Sequence, residues 1–175
     1  MKNLPSIEAR PKEVAKRKIL GHWEGDTLVS RKCEERIKSV NERKSGIVFF
    51  QKTINGTAQA CNQAAVEKLK NIPSEYLKTL TQDRGCENYG FEEVEKKLGL
   101  SCFFAHPYCS HERGSNENSN GLFRRYFPKG TDFSQITDDQ VLKVEHLINS
   151  RPRKRFGGLT PYEIFYQITG VALDS

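Results

Sequence analysis

Alternating apolar and polar residues with a period of two predict three strands early in the chain, at about residues 23–29, 36–41 and 46–52. Turn-forming residues 43–46 separate the second strand from the third, which predicts an antiparallel hairpin. Helical and strand-like patterns then alternate, with helices at about 57–71 and 91–98 and strands at about 76–82 and 100–105. Two further helices are predicted at about 138–149 and 161–167. This order predicts an α/β fold in which a three-strand meander precedes alternating helices and strands.

Residues 113–128 are the most informative segment, because winding them at about 100° per residue separates a polar face from an apolar one. The polar face carries Glu117, Asn120, Gly121 and Arg124, and the apolar face carries Leu122, Phe123, Tyr126 and Phe127. We therefore predict a helix that packs on the core and presents Glu117 to a polar site, with Ser115 or Asn116 as its N-cap. A solvated acid near a helix start is the alternative interpretation of a lone glutamate.

Length and composition suit one globular domain. Residues 19–175 contain all of the predicted elements, whereas residues 1–18 have two prolines and little periodicity, which predicts an N-terminal arm or linker outside the core. No apolar run approaches the roughly 20 residues that a membrane helix needs. The five cysteines are scattered without a Cys-x-x-Cys pair, which favours reduced thiols. We therefore expect a cytoplasmic protein.

Basic residues exceed acidic ones by 28 to 22, and the excess is concentrated near the two ends of the predicted domain. The C-terminal cluster places four cations within five residues, namely Arg151, Arg153, Lys154 and Arg155. Such a density of positive charge favours a nucleic-acid backbone as partner, with a solvated basic surface as the alternative. We predict that this loop contacts phosphates rather than bases.

Three carboxylates fall at related places in the predicted fold. Asp26 lies in the first strand, Asp83 follows the fourth, and Glu117 begins the helix after the fifth. If the first and fourth strands are neighbours, the two aspartates converge and the helix brings Glu117 beside them. Carboxylate oxygens are the ligands that Mg²⁺ prefers, and two such ions can assist displacement at a phosphodiester. The pattern indicates metal-dependent phosphodiester chemistry.

Six segments closely resemble, in order, the catalytic region of insertion-sequence-30 family transposases. They are residues 21–26 (GHWEGD), 81–85 (TQDRG), 113–121 (RGSNENSNG), 126–130 (YFPKG), 149–154 (NSRPRK) and 160–163 (TPYE). The resemblance covers about residues 10–166. It implies a ribonuclease-H-like domain at residues 19–175, with a mixed five-stranded sheet flanked by helices.

The resemblance also implies an activity and a partner. In this family an acidic triad, called DDE, holds two Mg²⁺ or Mn²⁺ ions that serve to cut DNA, free 3′-hydroxyl ends and join them to target DNA. The matching positions are Asp26, Asp83 and Glu117. Arg124 lies beside Glu117 on the polar face of the helix, so it is expected either to hold a phosphate near the metals or to be an exposed helix charge. Asn118 and Asn120 are expected to orient the carboxylates or contact DNA. Joining two DNA ends implies a dimer or a higher assembly.

Two segments depart from the family pattern. Residues 105–107 read Ala-His-Pro where the family commonly has Ala-Asp-Pro, and residues 110–114 read Ser-His-Glu-Arg-Gly where an aromatic residue is common. No segment resembles the N-terminal helix-turn-helix region of family members. The chain is therefore expected to correspond to a catalytic core, cut from a longer protein or encoded alone.

Other functions stay open at this point. A ribonuclease or deoxyribonuclease of the same fold would use the same carboxylates without joining strands. A catalytically silent DNA-binding or assembly module would keep the basic clusters alone. A tyrosine recombinase is the weakest alternative, because no convincing Arg-His-Arg set accompanies Tyr126.

Overall fold

A computed structural model describes residues 4–107, 109, 112 and 114–173. One five-stranded sheet runs through it in the order β3-β2-β1-β4-β5. Its strands are β1 (His22–Val29), β2 (Arg36–Glu42), β3 (Val48–Thr53), β4 (Thr79–Gln82) and β5 (Ser101–Phe104). The first three pair antiparallel, whereas β1, β4 and β5 pair parallel. The predicted meander and the mixed sheet are confirmed.

Helices cover both faces of this sheet. They are α1 (Glu13–Lys16), α2 (Ala58–Leu69), α3 (Phe91–Leu98), α4 (Gly114–Tyr126), α5 (Asp138–Asn149) and α6 (Pro161–Thr169). Thr57 caps α2, because its hydroxyl accepts a hydrogen bond from the amide of Ala60. Within the described residues, none of the helices is long and apolar enough to span a bilayer.

The core has two halves because strand side chains alternate between the two faces of the sheet. On one face, Trp23 stacks on Phe49 at a centroid distance of 5.8 Å, beneath α2 and α3. On the other face, Phe50 contacts Phe123 of α4 at 4.5 Å. Phe123 is fully buried, so this ring fixes α4 against the sheet.

Helix α5 protects the outer edge of the sheet. The amide side chain of Asn149 accepts from the backbone N–H of Val48 at 3.0 Å and donates to its carbonyl at 2.7 Å. Glu145 accepts from the N–H of Phe50 at 2.6 Å and pairs with Lys68 of α2. These side chains occupy the hydrogen-bonding groups that an edge strand otherwise offers to another chain.

The prediction that the N-terminal segment lies outside the core was wrong for its described residues. The carbonyl of Pro5 accepts a hydrogen bond from the N–H of Phe104 at 2.8 Å, which extends the sheet beyond β5. Val14 of α1 is almost completely buried. Arg10 reaches β4 and donates to the hydroxyl of Thr81 at 2.9 Å. These contacts are long-range, so local periodicity gave no sign of them.

Three local predictions also need correction. The strand predicted from residue 76 begins only at Thr79, because Ser74–Tyr76 forms a 3-10 turn. The sequence pattern assigns Tyr126 to the apolar face of its helix, yet this residue is more than two-fifths exposed, as is Leu147 in the predicted helix at 138–149. In each helix the buried face is narrower than the sequence pattern suggested, and polar residues occupy part of it.

Candidate active site

Asp26 and Asp83 lie on neighbouring strands near the centre of the sheet. Strands β1 and β4 pair in parallel, with His22 opposite Thr79 and Glu24 opposite Thr81. Continuing this register by two residues brings Asp26 level with Asp83, just beyond the end of β4. Strands β1 and β4 are therefore neighbours in the fold, which is the condition on which the predicted convergence of the two aspartates depends.

Each aspartate is held by an amide side chain. The Nδ2 of Asn120, on α4, donates to Oδ2 of Asp26 at 2.6 Å. The Nδ2 of Asn88 donates to Oδ1 of Asp83 at 2.6 Å, and the N–H of Gly85 donates to the same oxygen at 3.2 Å. Both carboxylates are partly buried, so these bonds restrict their orientation.

Glu117 lies one helical turn before Asn120, so it shares the side of α4 that reaches Asp26. Its side chain is exposed. Within the described part of the chain, no three Asp, Glu, His or Cys side chains are grouped closely enough to hold one metal ion. The fold therefore joins Asp26 to α4 through Asn120, while the Glu117 carboxylate stays outside such a group.

The start of α4 is capped from the sheet, which corrects the prediction of Ser115 or Asn116 as the cap. Oε2 of Glu24, on β1, accepts from the N–H of Ser115 at 3.0 Å and from that of Asn116 at 3.3 Å. Glu24 is completely buried, and its other oxygen pairs with the guanidinium of Arg43. An ionised carboxylate is favoured at a helix start because the free amides carry partial positive charge.

Asn116 has a different role from the one predicted. It is buried, and its Oδ1 accepts a hydrogen bond from Nδ2 of Asn41 on β2.

Burial lowers the pKa of Arg43 to about 10, with Arg17 and Arg10 acting in the same direction, so Arg43 stays protonated at neutral pH. Sequence reasoning missed Glu24, Arg43 and Asn41, although Glu24 lies inside the GHWEGD segment that carries Asp26.

Comparison with known proteins shows which proteins the whole chain resembles. The chain is 40% identical over 162 residues to the transposase for insertion sequence element IS4351 of Bacteroides fragilis, covering 93% of this chain and 49% of that protein. It is 39% identical over 167 residues to transposase InsI for element IS30A of Escherichia coli K12, covering 95% of this chain and 43% of that protein. These relatives are transposases of insertion-sequence elements, which confirms the resemblance to the insertion-sequence-30 family. It spans about half the length of the curated relatives it matches.

Solved structures show the same fold. The catalytic core domain of BIV integrase matches with a TM-score of 0.62 at 21% identity, covering 85% of this chain and 95% of that chain. A chain of the simian T-cell lymphotropic virus intasome, in complex with a PP2A regulatory subunit, matches with a TM-score of 0.65 at 17% identity. That match covers 83% of this chain and 54% of the other. The predicted ribonuclease-H-like fold is confirmed. No family model matches the chain.

The Arg124 side chain contacts other residues of this chain. Its Nη2 donates to the carbonyl of Val29 at 2.8 Å, and its guanidinium lies 5.1 Å from the ring centre of Phe133. Burial lowers its pKa. One nitrogen, Nη1, is buried without a hydrogen-bond partner. The side chain is therefore anchored at the end of β1 with a donor left over.

Basic residues from near the two ends of the chain line one cavity of about 350 Å³ beside the start of α4. Arg17 contributes from the N-terminal segment, and Arg153, Lys154 and Arg155 contribute from the C-terminal loop. Burial lowers the pKa of Arg155, and the charges of Arg17 and Arg153 lower it further. Asn118 of α4 also lines this cavity, whereas Arg151 is exposed elsewhere on the loop.

The two departures from the family pattern contact one another. Nδ1 of His106 lies 2.9 Å from Oε1 of Glu112, and the N–H of His106 donates to Oε2 at 2.9 Å. Glu112 raises the pKa of His106, first through this hydrogen bond and second through its charge. His111, Ser110 and Arg113 of the same segment lie outside the described residues. At position 106, where the family commonly has an acid, this chain has a histidine that contacts the acid at position 112.

Proposed function

We propose that the chain is the catalytic domain of a DDE transposase that cleaves phosphodiesters, frees 3′-hydroxyl ends and joins them to target DNA. One observation carries the proposal: β1, which bears Asp26, pairs in parallel with β4, which Asp83 directly follows, and Asn120 links Asp26 to the helix that bears Glu117. Similarity to transposases of insertion-sequence elements supports the reaction type.

We assign the metal site to Asp26, Asp83 and Glu117, as ligands for two Mg²⁺ or Mn²⁺ ions. Their carboxylate oxygens are the hard donors that such ions prefer. Bound divalent ions supply Lewis-acid activation of the attacking oxygen and stabilisation of the leaving oxygen. In the chain itself, Asn120 and Asn88 hold the two aspartates from opposite sides. Glu117 is exposed on the same side of α4 as Asn120, so rotation of its side chain is the movement that completes the set.

DNA is the proposed partner, and the basic cavity supports this part of the proposal. None of the side chains described as lining it is acidic, so its cations lack a neighbour of opposite charge within the lining. A phosphodiester supplies that charge and accepts hydrogen bonds from Arg155, Lys154 and Asn118. We also assign Arg151, which is exposed on the same loop, and Arg124, which is anchored at the end of β1, to contacts with DNA phosphates. Joining two ends requires at least two copies of the site, which favours a dimer or a higher oligomer.

Substitution of the three acids tests the catalytic proposal. Asp26→Asn, Asp83→Asn and Glu117→Gln are each expected to abolish Mn²⁺-dependent cleavage of labelled linear DNA, because each removes a metal ligand and keeps the side-chain volume. Thermal unfolding and circular dichroism should remain close to wild type. A variant that cleaves at a near-normal rate would remove its residue from the triad.

Sequencing of the products separates the proposal from its alternatives. Joined strands identify a transposase, whereas nicks without joining identify a nuclease of the same fold. Metal binding that disappears in Asp83→Asn argues against a silent assembly module, and complete loss of cleavage in a chelator argues against a tyrosine recombinase.

The salt dependence of DNA binding tests the basic cavity. In the variant Lys154→Ala/Arg155→Ala, the slope of log affinity against log salt should fall by about 1.8, since each phosphate contact contributes about 0.9. Arg153 is left in place because its Nη2 donates to the carbonyl of Ile148 at 3.2 Å. The charge-matched control is Lys96→Ala/Lys97→Ala, on an exposed face of α3. Equal slopes for the two double variants would exclude the cavity as a phosphate site.

A further inference from the structure

Lys38 is a buried lysine in the middle of the sheet. It lies on β2, paired with Thr27 on one side and Gln51 on the other, and its exposed fraction is 1%. Its Nζ donates to Oε1 of Gln82 at 2.9 Å and to Oδ1 of Asn88 at 2.8 Å. A lysine is rarely buried to this extent, because removing its amine from water is costly unless partners compensate.

One of these partners continues to the candidate active site. Asn88 accepts from Lys38 through Oδ1 and donates through Nδ2 to Oδ1 of Asp83 at 2.6 Å. An asparagine amide can be placed in two orientations that exchange its donor and its acceptor. A lysine amine can donate three hydrogen bonds at neutral pH, so Lys38 selects the orientation in which the oxygen of Asn88 faces it. The donor end of Asn88 is then directed at Asp83.

The charges around Lys38 agree with this geometry. Burial lowers its pKa, while Cys61, Asp26 and Asp83 act in the opposite direction. The amine is therefore close enough to both aspartates to affect them electrostatically, although its hydrogen bonds go to neutral amides. Asn88 itself is completely buried, so water does not compete for either end of its amide.

We propose that Lys38 is a positioning residue of the metal site, which acts through Asn88 to hold the Asp83 carboxylate in the orientation that receives a divalent cation. This inference rests on the proposed function, since it assigns Asp83 to the metal. Residues that orient a metal ligand in this way commonly change metal affinity by about 10-fold to 100-fold when they are removed.

The sign of the effect distinguishes positioning from simple electrostatics. Loss of a nearby positive charge alone strengthens the binding of a cation, because repulsion is removed. Loss of positioning weakens it. Lys38→Met, which keeps the length of the side chain, is therefore expected to weaken Mn²⁺ binding by about 10-fold or more, measured by titration calorimetry without DNA. In DNA cleavage, the Mn²⁺ concentration for half-maximal rate should rise while the KM for DNA stays the same.

Lys52→Met is the matched control. Lys52 lies on β3 and donates to the carbonyl of Ile136 at 2.9 Å, so its replacement removes a lysine and a hydrogen bond without a path to Asp83. This control should bind Mn²⁺ as wild type does. Unchanged or tighter Mn²⁺ binding by folded Lys38→Met, or an equal loss in Lys52→Met, would overturn the proposal.

A double-mutant cycle tests the path through Asn88. Asn88→Ala leaves Lys38 bonded to Gln82, and it should weaken Mn²⁺ binding as much as Lys38→Met does. The double variant should be no weaker than either single variant, because both changes break the same link. Additive losses would refute the path. If Lys38→Met does not fold, Asn88→Ala carries the test alone, and wild-type affinity in that variant refutes the proposal. Failure of wild type to bind Mn²⁺ would instead refute the metal site.

Discussion

Replacing Glu24 with alanine is expected to destabilise the fold strongly and to release the start of α4. The Glu24 carboxylate is completely buried between β1 and α4. It accepts from the amides of Ser115 and Asn116 at 3.0 and 3.3 Å and pairs with Arg43, whose side chain is also buried. The substitution therefore removes a helix cap and leaves a buried guanidinium without its counter-charge.

The magnitude follows from these two losses. Removing one partner of a buried ion pair costs about 3–5 kcal/mol, because the other charge stays desolvated. Two amides at the helix start also lose their acceptor. Their cost is not simply added to that of the unpaired Arg43, because all three groups bind the same carboxylate. We expect the free energy of unfolding to fall by about 4 kcal/mol. For a chain of this length, this lowers the thermal midpoint by about 8–16 °C.

Glu24→Gln separates charge from hydrogen bonding. Glutamine keeps an oxygen for the two helix amides and loses the ion pair, so its loss of stability should be smaller than that of Glu24→Ala. Glu163 provides the control, because its carboxylate also accepts at a helix start, from the N–H of the α6 N-cap Thr160, but is exposed to solvent.

Calorimetric or denaturant unfolding of the three variants is the assay. Because Glu163 is exposed and Glu24 is buried, Glu163→Ala should lower the free energy of unfolding much less than Glu24→Ala does. If Glu24→Ala lost less than about 1 kcal/mol, the carboxylate could not be the buried cap of α4.

Two further predictions concern the surroundings of the aspartates. Asn120→Ala removes the donor to Asp26 and should reduce cleavage about 10-fold to 100-fold with a nearly unchanged thermal midpoint; a wild-type rate would show that Asp26 needs no such support. Glu112→Gln should lower the pKa of His106, measured by NMR titration, because Glu112 raises it. The pair stabilises the folded state fully below the unfolded histidine pKa of about 6.5, and this contribution is lost as pH rises through the raised value. An unchanged His106 midpoint would show that the contact is not maintained in solution.

Much of the fold was predictable because its elements follow simple periods. The strands of the meander alternate apolar and polar residues. Helices α5 and α6 each directly follow a capping threonine, Thr137 and Thr160. The position of Asp83 was also predictable, since a strand followed by Asp-Arg-Gly places the acid at a strand end. The roles of the three acids stay predictions until the substitutions are made.

Other features depend on contacts that local patterns do not encode. Glu24 and Lys38 lie within strand patterns that normally direct polar residues to solvent, yet both are buried. Arg17 and Arg155 are 138 positions apart in the sequence, and only the folded chain brings them to one cavity. The position of the Glu117 side chain also depends on its rotamer, which helix periodicity does not determine.

Helices on both faces of the sheet explain why these buried polar residues occur together. A sheet covered on both sides has no solvent face at its centre, so a polar side chain there persists only if it finds partners inside the protein. Glu24 finds Arg43 and the start of α4, and Lys38 finds Gln82 and Asn88. The first network ends on the helix of Glu117 and the second ends on Asp83. The residues that stabilise the sheet centre are thus connected to the elements that carry the candidate ligands, so activity losses in these variants must be compared at equal folded fraction.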